Sequence, residues 1–451
     1  MRADDASVAH DHPTHRSSQQ QRFIVTGINL TFEEYDLPNG LHVILHQDHT
    51  LPIVAVNLWY HVGSKNEHEG ETGFAHLFEH MMFQGSDNVA ANMHFHHVQS
   101  AGGTLNASTS FDRTNYYNTL PAHQLELGLW LESDRMNSLA VTAETLETQR
   151  SVVMEERRSR YDNQPYGTML MELFARAYKM QPYRWPTIGS MADIQSATLE
   201  QVRAFHNMYY RPENATLCLA GDFESGSARA LIERYFGSIA NQDGEMYRPF
   251  AHEPVQTTQI RDYVYDSIPL PGLIIGMHIP DMNDDDFIPL DLLSYILTSG
   301  ESSRLYRRFV YEARIAQSIL SYAYDLEMPG LFLFRIIAQQ GKTPEMLESM
   351  LWKELDDVRR NGVTAQELQK AKNRIETSFV RAGSSLQSRA DLLNSFHVLA
   401  GDAAKLNSHH ERIHAVTQED VQRVAAKYLT EHNATCLHYL PYPKTASEQR
   451  A

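Results

Sequence analysis

The alternation of apolar and polar positions predicts short strands interleaved with longer amphipathic helices. Ile53-Val54-Ala55-Val56-Asn57-Leu58-Trp59-Tyr60 reads as a strand that leads through a Gly-rich loop into a helix. Leu273-Ile274-Ile275-Gly276-Met277-His278 reads the same way, followed by an acidic loop and a helix near Leu292 to Leu297. Helical periodicity is strongest over residues 124–138, 144–160 and 343–360.

The same pattern occurs twice. Ile194, Thr198, Glu200, Val202, Tyr209, Asn214, Ala215 and Thr216 return as Ile413, Thr417, Glu419, Val421, Tyr428, Asn433, Ala434 and Thr435, all at an offset of 219 residues. A register kept over so many positions marks a duplicated unit. In each copy a Thr placed to cap a helix opens an amphipathic stretch, and Asn-Ala-Thr then enters an apolar strand. The expected architecture is α+β, with two homologous sheet-plus-helices units closing like a clam-shell around a peptide-binding chamber. A polar leader over residues 1–30, expected to be disordered, precedes a first unit over 31–240. Residues 241–262, polar and holding Pro249 and Pro254, read as a linker to a second unit over 263–445.

Composition narrows the function classes. The 451 residues exceed one ordinary core, and 42% apolar content with 18 Pro and 23 Gly is that of a globular protein. No window reaches about 18 uninterrupted apolar residues, so no membrane span is expected. The start lacks the apolar run of a secretory signal, which leaves a cytoplasmic protein, or a periplasmic one whose signal has been removed. A net charge of -17 argues against nucleic acid as a partner. It suits basic peptides, although solvated surface accounts for most such charge. The two cysteines, Cys218 and Cys436, lie in apolar runs and read as buried strand thiols, too few for a disulfide framework or a Cys-based metal site.

The chemistry concentrates in His76-Leu77-Phe78-Glu79-His80. Histidines four apart on a helix share a face, where two neutral imidazoles can bind one Zn²⁺. Glu79 falls on the same side, placed to take a proton from a water at the metal. The flanks Gly73-Phe74-Ala75 and Met81-Met82-Phe83 are apolar, so these polar groups sit in a helix expected to be buried. A third ligand is needed, and the stretch Arg150 to Arg158 offers Glu155 and Glu156, about 100° apart on a helix. Val152, Val153 and Glu156 share a face by period, which favours Glu156.

With these residues in view, the chain resembles the inverzincins, the pitrilysin-type metallopeptidases, and within them the mitochondrial processing peptidase branch with its bacterial relatives. The resemblance spans roughly residues 34 to 441. It rests on Leu37-Pro38-Asn39-Gly40-Leu41, the segment Gly73 to Met81, Gly103 to Pro121, and Val152 to Pro165. It implies one zinc per chain held by His76, His80 and Glu156, the last lying 76 residues beyond His80 as the family requires, with Glu79 as general base. Where relatives often carry a Glu seven residues before the ligand Glu, this chain has Gln149, which can hydrogen-bond a ligand but adds no charge. Relatives also supply an Arg and a Tyr, seven residues apart, from the second unit to hold the substrate carbonyl. Aligned through Gly300-Glu301-Ser302-Ser303-Arg304-Leu305, those positions fall on Val310 and Gln317. Arg304, Arg307, Arg308, Arg314, Tyr322 and Tyr324 are near but not at the matching positions.

Gly103 to Ser110 alternates small and polar residues and reads as an exposed strand. By the resemblance, Asn106, Ala107 and Ser108 belong to an edge strand on which a peptide adds by main-chain hydrogen bonds. Phe111, Tyr116 and Tyr117 fit either the wall of the adjoining pocket or aromatic core packing. His10, His12 and His15 in the leader, and the cluster His94, His96 and His97, stay outside the site. The expected function is a zinc metalloendopeptidase acting on peptides or unfolded segments, paired with a paralogous subunit that supplies the Arg and Tyr, or a homodimer in its absence. The rival is a non-catalytic structural subunit of the same fold, like the core proteins of respiratory complexes.

Overall fold

The computed structural model describes residues 27–249 and 251–443. The expected leader histidines His10, His12 and His15 lie outside the described residues. Leu30, at the end of the stretch expected to be leader, is buried, and its backbone exchanges two hydrogen bonds of 2.8 and 2.9 Å with the Asn407 side chain.

Two sheets carry the described chain. The first comprises β1 (Glu33–Asp36), β2 (His42–Gln47), β3 (Ile53–Tyr60), β4 (Thr104–Thr109), β5 (Thr114–Pro121) and β6 (Ala215–Gly221), in the order β1-β2-β6-β3-β5-β4. The second comprises β7 (Ile260–Asp266), β8 (Gly272–His278), β9 (Ala316–Ala323), β10 (Leu331–Ala338) and β11 (Ala434–Pro441), in the order β7-β11-β8-β10-β9. Apart from the extra edge strand β1, the two sheets share one topology. Each has one parallel pair, β2 with β6 and β7 with β11, and is otherwise antiparallel. Strand β7 starts at Ile260, inside the stretch read from composition as linker.

Helices α1 (Phe74–Met81), α2 (Ala143–Arg157), α3 (Met169–Ala177) and α4 (Leu199–Tyr209) follow in the first half. Helices α5 (Ala365–Ala382), α6 (Leu386–Ala400), α7 (Lys405–Ala415) and α8 (Gln418–Tyr428) follow in the second, with shorter or unlabelled helices between. The repeat is visible in detail. Thr198 caps α4 and Thr417 caps α8, each accepting from the backbone N–H three residues on. Asn214 and Asn433 then donate to the carbonyls of Tyr209 and Tyr428, at 2.7 and 2.8 Å, before β6 and β11 begin. Removing either cap, as Thr198→Ala or Thr417→Ala, is expected to cost about 1 kcal/mol in chemical denaturation.

The halves are interlocked. Helix α3 of the first half packs Met169, Leu173 and Phe174 into a cluster with Ile274, Leu331, Leu437 and Tyr439 of the second sheet. The approach is close because β8 has Gly276 there: a Cβ on it would come within 3.0 Å of Leu173. Helix α6 of the second half returns the contact, placing Leu386, Ala390 and Leu393 against Ile44, Ala55, Cys218 and Ala220 of the first sheet. Small strand residues again admit the helix, and Cys218 and Cys436 are free, buried thiols as read from sequence. Asp391 on α6 fixes the register by accepting from Asn57, Trp59 and Asn115 at 3.2, 3.0 and 2.9 Å. No described helix is long and apolar enough to cross a membrane.

Candidate metal centre and peptide cleft

Helix α1 is short and apolar on most of its surface, and its start is built rather than left to propensity. Gly73 caps it with φ +93°, a left-handed conformation that L side chains rarely adopt. A Cβ there would also meet the Ile188 carbonyl oxygen at 2.9 Å. The buried Glu67 carboxylate accepts from the backbone N–H groups of Gly73 and Ala75 at 2.8 and 2.9 Å, satisfying two of the donors a helix start leaves free. Phe74, Leu77, Phe78 and Met81 anchor the other face in the core. His76, Glu79 and His80 are thereby held toward a cleft of about 480 Å³.

Helix α2 brings Glu156 to the same point. Gln149 and Val153 are buried and Glu156 is half-buried, whereas Val152 is exposed. The inward face is therefore 149-153-156, not the 152-153-156 face expected from period. The choice of Glu156 over Glu155, which is exposed, is unaffected. Gln149 lies two turns earlier on that face, and among the described residues it makes no hydrogen bond to His76, His80 or Glu156.

One ligand atom from each of His76, His80 and Glu156 lies within 4.8 Å of the others. Glu156 Oε2 is 3.2 Å from His80 Nε2 and 3.7 Å from His76 Nε2. Two metal bonds of about 2.1 Å at a tetrahedral angle put their donor atoms about 3.4 Å apart, so the spacing suits zinc. His76 is not satisfied by the chain itself: its Nδ1 is buried without a hydrogen-bond partner, and 3.7 Å is too long for a bond from Nε2. Burial, helped by the neighbouring His80, pushes His76 down to about 4, which keeps its imidazole neutral. The hydrogen bond from His80 lowers Glu156 despite burial, so the carboxylate is ionised. Two imidazole nitrogens and one carboxylate are the donor set of a catalytic zinc site with a coordination position to spare.

Three neighbours were not found from sequence. Thr109 Oγ1 donates to Glu79 Oε2 at 2.6 Å, orienting the carboxyl while burial raises its pKa. Arg160 contacts the other oxygen of Glu156 at 2.6 Å. Tyr161 lines the same wall. Arg160 stands four residues after Glu156 on the continuing helix, a spacing legible in the sequence, whereas the contact of Thr109 with Glu79 needs the tertiary structure.

Asn106, Ala107 and Ser108 also line the cleft. Strand β4 is the last in its sheet, paired with β5 on one side only, so its other edge is open to an extended chain. Phe111 stacks on Phe174 and Tyr116 is fully buried, so these two are core packing, and none of Phe111, Tyr116 and Tyr117 lines the cleft. His94 is buried 3.9 Å from Glu132, an acidic neighbour that spacing did not reveal, in a cluster separate from the site.

Comparison with known proteins is consistent with this arrangement. The insulinase (peptidase family M16) profile matches residues 42–190, the segment that holds His76, Glu79, His80 and Glu156. The chain is 32% identical over 414 residues to the zinc protease PqqE of Helicobacter pylori, covering 91% of this chain and 93% of that protein. The chain belongs to peptidase family M16. The profile of the peptidase M16 inactive domain matches residues 196–375, a span that begins in the last part of the first half and runs into the second. A crystal structure of a protease from Helicobacter pylori superposes with a TM-score of 0.87 at 31% identity, covering 91% of this chain and all of that one. An uncharacterized zinc protease of Bacillus subtilis, YmxG, is 24% identical over 410 residues, covering 90% of this chain and 97% of that protein.

Proposed function

We propose that this M16 chain is a zinc-dependent endopeptidase of the processing-peptidase-like bacterial branch, and that it acts as the zinc-bearing subunit of a pair. The observation that carries the reading is the convergence of His76, His80 and Glu156 beside Glu79 at the open edge of β4. Zinc, when bound there, supplies Lewis acidity toward a peptide carbonyl and lowers the pKa of water. The chain's own residues do the rest. An extended peptide pairs with β4 through main-chain hydrogen bonds, which favours unfolded segments over any particular sequence. Thr109 occupies Glu79 Oε2, leaving Oε1 to take the proton of the attacking water and return it to the leaving amine. Arg160 holds Glu156 from behind, which fixes the carboxylate's orientation.

The pairing rests on the second half. Val310 packs against the core of that half, and Gln317 is exposed on β9, so neither position offers the cation and phenol expected to hold the substrate carbonyl. A paralogue carrying Arg and Tyr at these two positions would complete the site. The test is cleavage of unfolded peptides by the purified chain alone and mixed with such a paralogue. Activity that rises only in the mixture is expected, and full activity of the chain alone would refute the pairing. The absence of that pair also favours a second reading, a structural subunit without catalysis. The two separate on metal at this site: Glu156→Gln is expected to lower the zinc content by about one per chain by elemental analysis, whereas in a structural subunit the substitution would leave the zinc content unchanged.

A further inference from the structure

A second constellation of the same chemistry lies in the other half of the molecule. His410 and His414 stand four apart on α7, so their rings share one face. Glu376, on the neighbouring α5, reaches both. Its Oε1 is 3.0 Å from His410 Nδ1 and its Oε2 is 3.5 Å from His414 Nε2. The two rings have centroids 4.3 Å apart and are tilted by 53°, so they are not stacked against each other. One ligand atom from each of the three residues falls within 4.8 Å of the other two. Each histidine thus lies beside one oxygen of the same carboxylate, near the separation of about 3.4 Å that a tetrahedral metal sets between two donors. Lys372, one turn before Glu376, does not compete for the carboxylate. Its ammonium donates to the backbone carbonyls of His414 and Val416 at 2.8 and 2.6 Å.

The geometry points to a second metal site, a structural one, in which Glu376, His410 and His414 bind a borderline divalent cation of the zinc type. Two imidazoles and one carboxylate select such a cation over calcium or magnesium, which take oxygen ligands. The site differs from the first in its surroundings. It lies on the outside of the helical layer, with the His414 side chain 39% exposed. Among the described residues, no carboxylate equivalent to Glu79 belongs to the set. Its place in the fold gives it a role. Glu376 and His410 bracket residues 377–409, and within that segment α6 crosses to the first sheet and presents Asp391 to Asn57, Trp59 and Asn115. A metal joining α5 to α7 closes the base of this excursion and restricts the freedom of the helix that clasps the first half. Binding that favours the folded state raises stability by mass action.

The experiment uses the full chain carrying His76→Ala and His80→Ala, stripped with chelator and titrated with zinc in a calorimeter. One zinc per chain is expected to bind, to raise the melting temperature, and to slow amide exchange in residues 386–400. Adding His410→Ala and His414→Ala is expected to abolish all three effects. Glu376→Gln, which keeps the size of the side chain and its hydrogen-bonding reach, is expected to weaken binding by more than about a hundredfold. Absence of binding in the His76→Ala/His80→Ala chain would overturn the proposal. Undiminished binding after loss of His410 and His414 would overturn it too, because the zinc would then be held elsewhere.

Discussion

Glu79→Gln is expected to lower peptide cleavage by a factor of about 10² to 10⁴, the range that a positioned general base contributes, while leaving the zinc content unchanged. The substitution keeps the length of the side chain and leaves an amide oxygen to accept from Thr109, now at 2.6 Å from Glu79 Oε2. What it removes is proton affinity at the other oxygen. Because Glu79 is not one of the three converging ligands, the metal set survives. Assays should be run with the partner subunit present, and zinc measured on the same preparation. Loss of activity together with loss of zinc would show that Glu79 serves the metal rather than the water. Undiminished activity with zinc retained would remove Glu79 from the mechanism.

Lys65→Met is expected to destabilise the chain by about 3–5 kcal/mol, because it leaves buried acids without their cation. The Lys65 ammonium is almost wholly buried. It lies 3.0 Å from Asp112 of the first half and pairs with Glu327 of the second. His61 Nε2 is 2.7 Å from the same Glu327 oxygen. Tyr183 donates to Asp112 at 2.7 Å and accepts from the backbone of Met328 at 3.1 Å. Burial by itself would raise the carboxyl of Glu327, but the His61 hydrogen bond and the Lys65 charge outweigh it and hold Glu327 at about 2. His61 shifts downward, because burial and the adjacent Lys65 oppose its protonation more than Glu327 favours it. The pair is therefore best described as a neutral imidazole donating to a carboxylate, with Lys65 carrying the positive charge. The sign of the pH dependence follows. A depressed carboxyl contributes stability that is complete above its ordinary value of 4.5 and is lost as pH falls from there through about 2. On this scale Glu327 is worth about 3 kcal/mol near neutral pH. Urea unfolding of the native chain and of Glu327→Gln should differ most near pH 6 and converge toward pH 2. A gap that persists at low pH, or a change below about 1 kcal/mol for Lys65→Met, would show that the cluster does not join the halves energetically.

The parts of this molecule that were legible in sequence are those set by short-range periodicity. His76 and His80 lie one turn apart, so their common face needed only the assumption of a helix. The duplication could be read because capping and strand entry are local events, and Thr198 and Thr417 open their helices as their sequences imply. Glu156 was reached by a face that included Val152, which the structure exposes. Apolar character suggests burial at Val152, but the polar Gln149 marks the inward face instead. Contacts between distant segments left no such trace. Thr109 finds Glu79 through the pairing of a strand with a helix, and Glu376 finds His410 across two helices. The exchange of α3 and α6 between the sheets has no periodic signature, because a helix that covers its own sheet and one that covers a neighbour's show the same apolar stripe.

That exchange bears on how such a chain could have arisen. A single unit standing alone would leave one face of its sheet bare, because the helix that covers this face belongs to the other copy. Before the two copies were fused, the stable species would have been a homodimer in which each subunit lent a helix to its twin. Fusion would have kept that mutual loan within one chain, after which one copy could lose its catalytic groups without loss of the fold. Cutting the present chain in the stretch before β7 and producing the two pieces separately should give insoluble fragments, and co-producing them should give a soluble pair.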